Sequence, residues 1–299
     1  MKKKILGLVM AGVMVLGTLT GCGATKEAVT ENAEASEAAE TSEKKVLRVG
    51  MECAYAPFNW TQVSDVLADG EKAVQIYGTK EFAYGYDVMM AQKIATELGW
   101  ELEIHKVEWD SIGMALDSNK YDCIIAGMGK TAEREQAYTF TEPYYYRDVC
   151  VTVKKGSEFE GITKLSDFAS KNVKLTTQLG TAWVDLLAQI PDGVLGANYA
   201  TTAECFMAVS NGAADAAVID VPTSQSALLT NSDLVMLSLD ESDTIEDPTG
   251  STNVCIAVRK DDTQLRDEIQ GAMDKLGWSD KAVMDEMMNK AIDLQPAAN

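Results

Sequence analysis

The spacing of apolar residues changes period several times along the chain. Val46-Leu47-Arg48-Val49-Gly50 predicts a short strand, whereas Gly85 to Gly99, GYDVMMAQKIATELG, sets apolar residues three and four apart and ends on glycine, predicting a helix. Glu101 to Val107 alternates as a strand, Trp109 to Leu116 returns to helical spacing, and Tyr121 to Ala126 reads as a further strand. A second series then begins. Strands are expected over Cys150 to Val153, Val173 to Thr177 and Ala216 to Ile219, and helices over Leu165 to Phe168, Thr181 to Gln189, Ala203 to Asn211 and Pro222 to Leu229. Strands alternating with helices predict an α/β fold, and the restart predicts two units in series. Asn253 to Lys260, NVCIAVRK, supplies one more strand, and a helical region runs from Leu265 onward.

VCVTVKKG, beginning at Val149, and VCIAVRKD, beginning at Val254, resemble each other. A chain that leaves the first unit near Tyr144 to Asp148 and returns near Gly250 to Asn253 crosses between the units twice. Two crossings make a hinge, and the cleft beside a hinge is a place for a ligand.

The first residues, MKKKILGLVMAGVMVLGTLTGCG, run from basic to apolar to small, the layout of a secretory leader. Leu19-Thr20-Gly21-Cys22 resembles the bacterial lipobox, so residues 1–21 are expected to be removed and Cys22 to be lipidated. Ala24 to Lys45 is rich in Ala, Glu, Ser and Thr without an aromatic residue; it cannot bury a core, and residues 22–45 are read as a solvated tether. No later run approaches the roughly 18 apolar residues that a membrane span needs. The chain carries a formal charge of -20, and loss of Lys2, Lys3 and Lys4 with the leader makes it -23. That sign argues against nucleic acid as a partner.

Candidate chemistry narrows by exclusion. Gly129-Lys130-Thr131 mimics the end of a phosphate-binding loop, but the position that should hold its first glycine is Ile124, whose branched side chain resists the conformation required. Of six cysteines, five remain beyond Cys22, with no CxxC pair and a single histidine, His105. A metal cluster is a poor reading of that set, no cofactor is expected, and His105 sits within an alternating stretch that suits a strand. Arg134 is different. Its planar fork can meet a carboxylate with two hydrogen bonds.

MECAYAPFNW, YGYDVMMAQKIATELG, VEWDSIGMAL, YDCIIAGM, TAEREQAYTFTEPYYY, TQLGTA and AAVIDVP follow one another from Met51 to Pro222. In that order they resemble the extracytoplasmic solute-binding proteins of family 3, the polar amino-acid binders of ABC importers. The resemblance implies a two-lobed α/β fold of the periplasmic-binding-protein type II kind, with two hinge crossings: lobe one from 46–148 and 254–299, lobe two from 149–253. It implies that Arg134 holds the ligand carboxylate and that Asp220 receives the α-ammonium. Tyr55 and Trp109 would wall the aliphatic stem, and Glu52 would meet the side chain. Ala126, Gly127 and Gly129 would let the backbone approach closely, although Gly129 lacks the hydroxyl that relatives often carry there. Gln178, Thr181 and Ala182 lie in a loop that opens onto a helix, where N–H groups favour an anion.

The function so implied is capture of one polar, basic amino acid for delivery to a membrane permease, without enzymatic chemistry. Arginine, lysine and histidine rank first because an acidic Glu52 between aromatic walls favours a cation. The alternative is a cyclohexadienyl-dehydratase-like enzyme on the same scaffold, with Glu52 as its acid. The lipid-anchor reading has its own test. Cys22→Ser should leave the protein soluble or unprocessed, because stable anchoring takes two acyl signals and this residue is their attachment point. Membrane fractionation that found the processed variant as tightly bound as the parent would refute the lipobox.

Overall fold

In the computed structural model, which describes residues 44–296, two five-stranded sheets carry the fold. The leader, Cys22 and the tether up to residue 43 lie outside the described residues. The first sheet runs in the order Glu101–Lys106, Val46–Met51, Cys123–Ile124, Ala257–Arg259, Tyr138–Phe140. Its first three strands are parallel, and Ala257–Arg259 lies antiparallel between two neighbours. The second sheet runs Val194–Leu195, Lys174–Thr176, Ala216–Asp220, Val149–Lys154, Leu234–Met236, with Val149–Lys154 antiparallel to both of its neighbours. Each sheet is thus one lobe of a two-lobed α/β protein.

The sequence pattern explains the packing. Leu47, Val49 and Met51 are all fully buried, as alternating positions of an interior strand should be. The helix Tyr86–Leu98 ends at Gly99, whose N–H turns back to the carbonyls of Ala95 and Thr96. Its Val88, Ala91, Ile94 and Ala95 are buried, and it packs between the first sheet and the helix Thr263–Lys275. His105 lies in Glu101–Lys106, stacked on Tyr77 at 4.7 Å and 2.6 Å from Glu103, away from the ligand cleft.

Two expectations change. Of Asn253 to Lys260, only Ala257–Arg259 joins a sheet, because the residues before it are used as hinge. The Val254 N–H donates to the Tyr145 carbonyl at 2.9 Å, the Val254 carbonyl accepts from Tyr144 at 2.8 Å, and the Cys255 N–H donates to Met128 at 2.9 Å. The two crossings therefore hold each other. The final helical region divides into Thr263–Lys275 and Lys281–Asp293, and between them the Trp278 indole N–H donates to the Tyr144 carbonyl at 3.0 Å. Residues 61–81 help to build a small antiparallel sheet of Ala54–Tyr55, Asn59–Gln62, Phe82–Tyr84 and Val74–Gln75. Lys290 clips this segment to the last helix through Asp69 at 3.0 Å and through Glu71.

Under the cleft, Asp87 is wholly buried and accepts from Asn59 at 2.7 Å and from the Tyr144 hydroxyl at 2.6 Å. Burial pushes its carboxyl up to about 6 in spite of those two donors. Removing the acceptor strands both donors in the interior. Asp87→Ala is expected to lower stability by about 2–4 kcal/mol, read as a fall in the urea midpoint at unchanged slope.

Cys53, Cys123, Cys150, Cys205 and Cys255 are all buried and free, so the two hinge-flanking thiols, Cys150 and Cys255, are not joined. Burial raises the thiols of Cys53, Cys150 and Cys255 to about 12 and that of Cys205 to about 11. The thiolate is the reactive form. A thiol reagent at neutral pH should leave these five unlabelled in the native protein and label all five after denaturation; rapid native labelling of any one would contradict this packing.

Candidate functional site

Between the lobes lies a pocket of about 290 Å³ of atom-free space. Lobe one lines it with Glu52, Tyr55, Trp109, Ala126, Gly127, Gly129 and Arg134, the first crossing with Arg147, and lobe two with Gln178, Thr181, Ala182 and Trp183. Every expected site residue except Asp220 is in this wall. Arg147 and Trp183 are the additions.

Local backbone explains the small residues. Gly127 has φ +62, a conformation costly for a side chain, and a Cβ there would come within 2.5 Å of the Tyr55 ring. At Gly129 a Cβ would meet the Ser251 carbonyl at 2.2 Å. The returning crossing runs so close that no hydroxyl-bearing side chain fits there. Lys130 points away and pairs with Glu135 at 3.1 Å, so the glycine-lysine-threonine triplet has no phosphate-binding role in this geometry.

Arg134 begins the short helix Arg134–Ala137 and spans the cleft. Nη1 donates to the Gly129 carbonyl at 2.8 Å and Nη2 to the Gly180 carbonyl of lobe two at 2.7 Å, while the guanidinium lies over Trp109 at 5.2 Å. Burial, with the like charge of Arg147 adding to it, lowers Arg134 to about 10, which leaves it charged at neutral pH. Thr181 donates its hydroxyl to the Gln178 carbonyl at 2.8 Å. The helix after this loop, Trp183–Leu186, has four residues, so little of the expected helix field is available there.

Glu52 is 4 % exposed. Loss of water is the chief reason that its carboxyl rises to about 7; Gln178 opposes this by a hydrogen bond, and Glu108 and Glu204 reinforce it by repulsion.

Asp220 requires a correction. It is completely buried and stands behind the pocket wall. One carboxylate oxygen accepts from the Thr223 N–H at 2.9 Å and so caps the helix Val221–Thr230; the other accepts from the Tyr55 hydroxyl at 2.6 Å. Arg147 lies 3.9 Å away. The carboxylate expected to receive an α-ammonium is already occupied by protein donors.

Arg147 is the side chain that motif matching did not flag. Nε donates to the Thr252 carbonyl at 2.7 Å and Nη1 to the Tyr55 hydroxyl at 2.9 Å. Its guanidinium lies 5.6 Å from the Phe58 ring and 5.2 Å from the Trp183 ring. Burial disfavours its charge, but Tyr55 and Asp220 more than offset this and hold it above the ordinary arginine range. The one available signal was a cation at the centre of the aromatic crossing YYYRDVC.

With this geometry in hand, known proteins resemble the chain as follows. The arginine-binding extracellular protein ArtP of Bacillus subtilis is 29 % identical over 181 residues, 60 % of this chain and 57 % of ArtP. The L-cystine-binding protein TcyA of the same organism is 31 % identical over 189 residues, 60 % of this chain and 64 % of TcyA. The matched stretch therefore spans less than two thirds of either relative. A substrate-binding protein of an amino acid ABC transporter from Streptococcus pneumoniae, solved with L-arginine, superposes with a TM-score of 0.68 at 26 % identity, covering 84 % of this chain and 95 % of that one. The family profile of the bacterial extracellular solute-binding proteins, family 3, matches residues 47–290, and the chain belongs to that family.

Proposed function

We propose that this protein is the extracytoplasmic capture component of an ABC importer, and that it closes its two lobes around one free amino acid and presents it to a permease. The observation that carries the reading is the interlobe pocket of about 290 Å³, whose wall holds both Arg134 and Glu52. A cation and a carboxylate facing one small cavity are what a zwitterion needs. Closure stabilises the bound state because the ligand touches both lobes. Anchoring through Cys22 completes the proposal and places the domain on a tether at the outer face of the membrane.

Roles within the pocket follow from its occupancy. Arg134 retains free N–H groups for the α-carboxylate. With Asp220 engaged, Glu52 is the one carboxylate lining this pocket among the described residues, so the α-ammonium falls to it. The expectation of a basic side chain assigned Glu52 to that side chain, and a single carboxylate cannot serve both groups. Mass spectrometry of ligand retained by the natively purified protein tests the class; a non-amino-acid ligand, with no thermal stabilisation by any amino acid, would refute it.

Arg134→Ala should weaken binding by roughly 2–5 kcal/mol in calorimetry while shifting the unfolding midpoint little. Asp220→Asn should do the reverse, costing about 3–5 kcal/mol of stability, because it leaves Arg147 buried without its carboxylate. A binding loss in Asp220→Asn that exceeds its stability loss would return Asp220 to the ligand.

The proton on Glu52 gives a further expectation. Its free-state carboxyl titrates near 7, and a bound ammonium must lower that value, so affinity is full above about 7 and declines as pH falls through it. Titrations at several pH values should show this decline in the parent and a flat profile in Glu52→Gln.

A further inference from the structure

Two donors in the pocket wall have no acceptor. The Trp183 indole N–H is buried and makes no hydrogen bond among the described residues, although Trp183 lines the pocket and is 2 % exposed. Beside it, Arg147 uses Nε for Thr252 and Nη1 for Tyr55, whereas its Nη2 has no hydrogen-bond partner among the described residues. The two are neighbours, since the guanidinium lies 5.2 Å from the indole ring. Native proteins rarely leave buried polar groups unpaired, and those left in a cleft wall mark where a ligand completes them.

Both groups donate and neither can accept, so their missing partner is an acceptor. Next to a guanidinium the strongest acceptor is a carboxylate, whose charge shortens and strengthens each bond. The charge distribution agrees. Arg134 and Arg147 repel one another across the same chamber, and the carboxylate nearest Arg147, Asp220, is already shared with Tyr55 and Thr223. A lysine or arginine side chain entering here would meet two guanidiniums and find Glu52 already committed to its ammonium. That arrangement leaves a side-chain cation without a free carboxylate in the pocket wall.

We propose that Arg147 and the Trp183 indole N–H form a second acceptor subsite, and that the captured amino acid carries a second carboxylate directed to it. This rests on the amino-acid reading of the pocket and deepens it. Arg134 holds the α-carboxylate, Glu52 the α-ammonium, and the Arg147–Trp183 pair the distal carboxylate; aspartate and glutamate have that chemistry, and their amides and the basic amino acids do not. Arg147 thereby determines specificity from a hinge crossing.

Calorimetric titration of the parent with aspartate, glutamate, asparagine, glutamine, arginine and lysine reads the ranking, and Trp183→Phe and Arg147→Met read its cause. At least one dicarboxylic ligand should bind about tenfold more tightly than its amide or than arginine, the difference expected of one charge-assisted hydrogen bond. Trp183→Phe keeps an aromatic ring and removes the N–H, so it should erase most of that preference while changing amide binding much less. Arg147→Met keeps an apolar stem between the rings; should it fail to fold, Trp183→Phe still carries the test. Arginine, lysine or an amide binding as tightly as every dicarboxylic ligand would overturn the subsite and leave the capture function standing. A dicarboxylate preference unchanged in Trp183→Phe would overturn the assignment to this pair. If no amino acid bound at all, both readings would fall.

Discussion

A guanidinium with 3 % of its side chain exposed must be neutralised where it lies, and much of this molecule's centre is arranged around that requirement at Arg147. Its partners come from every part of the hinge region: Tyr55 from lobe one, Asp220 from lobe two, and the Thr252 carbonyl from the returning crossing. Meeting one buried charge therefore fixes the mutual placement of four segments distant in sequence. The shape of the pocket follows. Tyr55, drawn toward Asp220 and stacked on Phe58 at 4.8 Å, takes the volume that a side chain at Gly127 would need, and Asp220 stands behind the pocket wall.

Closure and recognition share atoms. Arg134 is bonded to one carbonyl in each lobe, so the group that would clamp a carboxylate also bridges the cleft. Opening must break the Gly180 bond and the Tyr55–Asp220 bond, whereas the bonds between Tyr144, Tyr145 and Val254 lie within the crossings and need not change. The crossings form a paired ribbon, and motion is confined to bending it. A ligand that contacts both lobes tips this balance, since a conformational equilibrium moves only by differential contact with its two states.

Much of this was legible in the chain. The helix Tyr86–Leu98 announced itself by spacing and by Gly99, and the buried strands by their apolar runs, because those signals are local. The strand over Asn253 to Lys260 was overread for a physical reason: its first residues are apolar because they are buried in a hinge, and burial alone does not say which neighbour takes the backbone hydrogen bonds. The antiparallel sheet within Ala54–Tyr84 was invisible, since strands of two to four residues carry too little of a period. Arg134 could be found from its motif. The fate of Asp220 could not, because it depends on Tyr55 and Arg147, which lie 165 and 73 positions away in the sequence and meet it only after folding.

The strand Ala257–Arg259 lies between Cys123–Ile124 and Tyr138–Phe140 in the first sheet. Those two neighbours are not bonded to each other without it, so the sheet of lobe one has a gap until the chain has been made almost to its end. Lobe two is different: its five strands run without interruption from Val149 to Met236. In order of synthesis, the later lobe is the first whose sheet can be completed, and the earlier one waits with two unpaired strand edges. The N-terminal half of the binding wall, Arg134 included, thus acquires its final form only after the C-terminal half has a scaffold of its own.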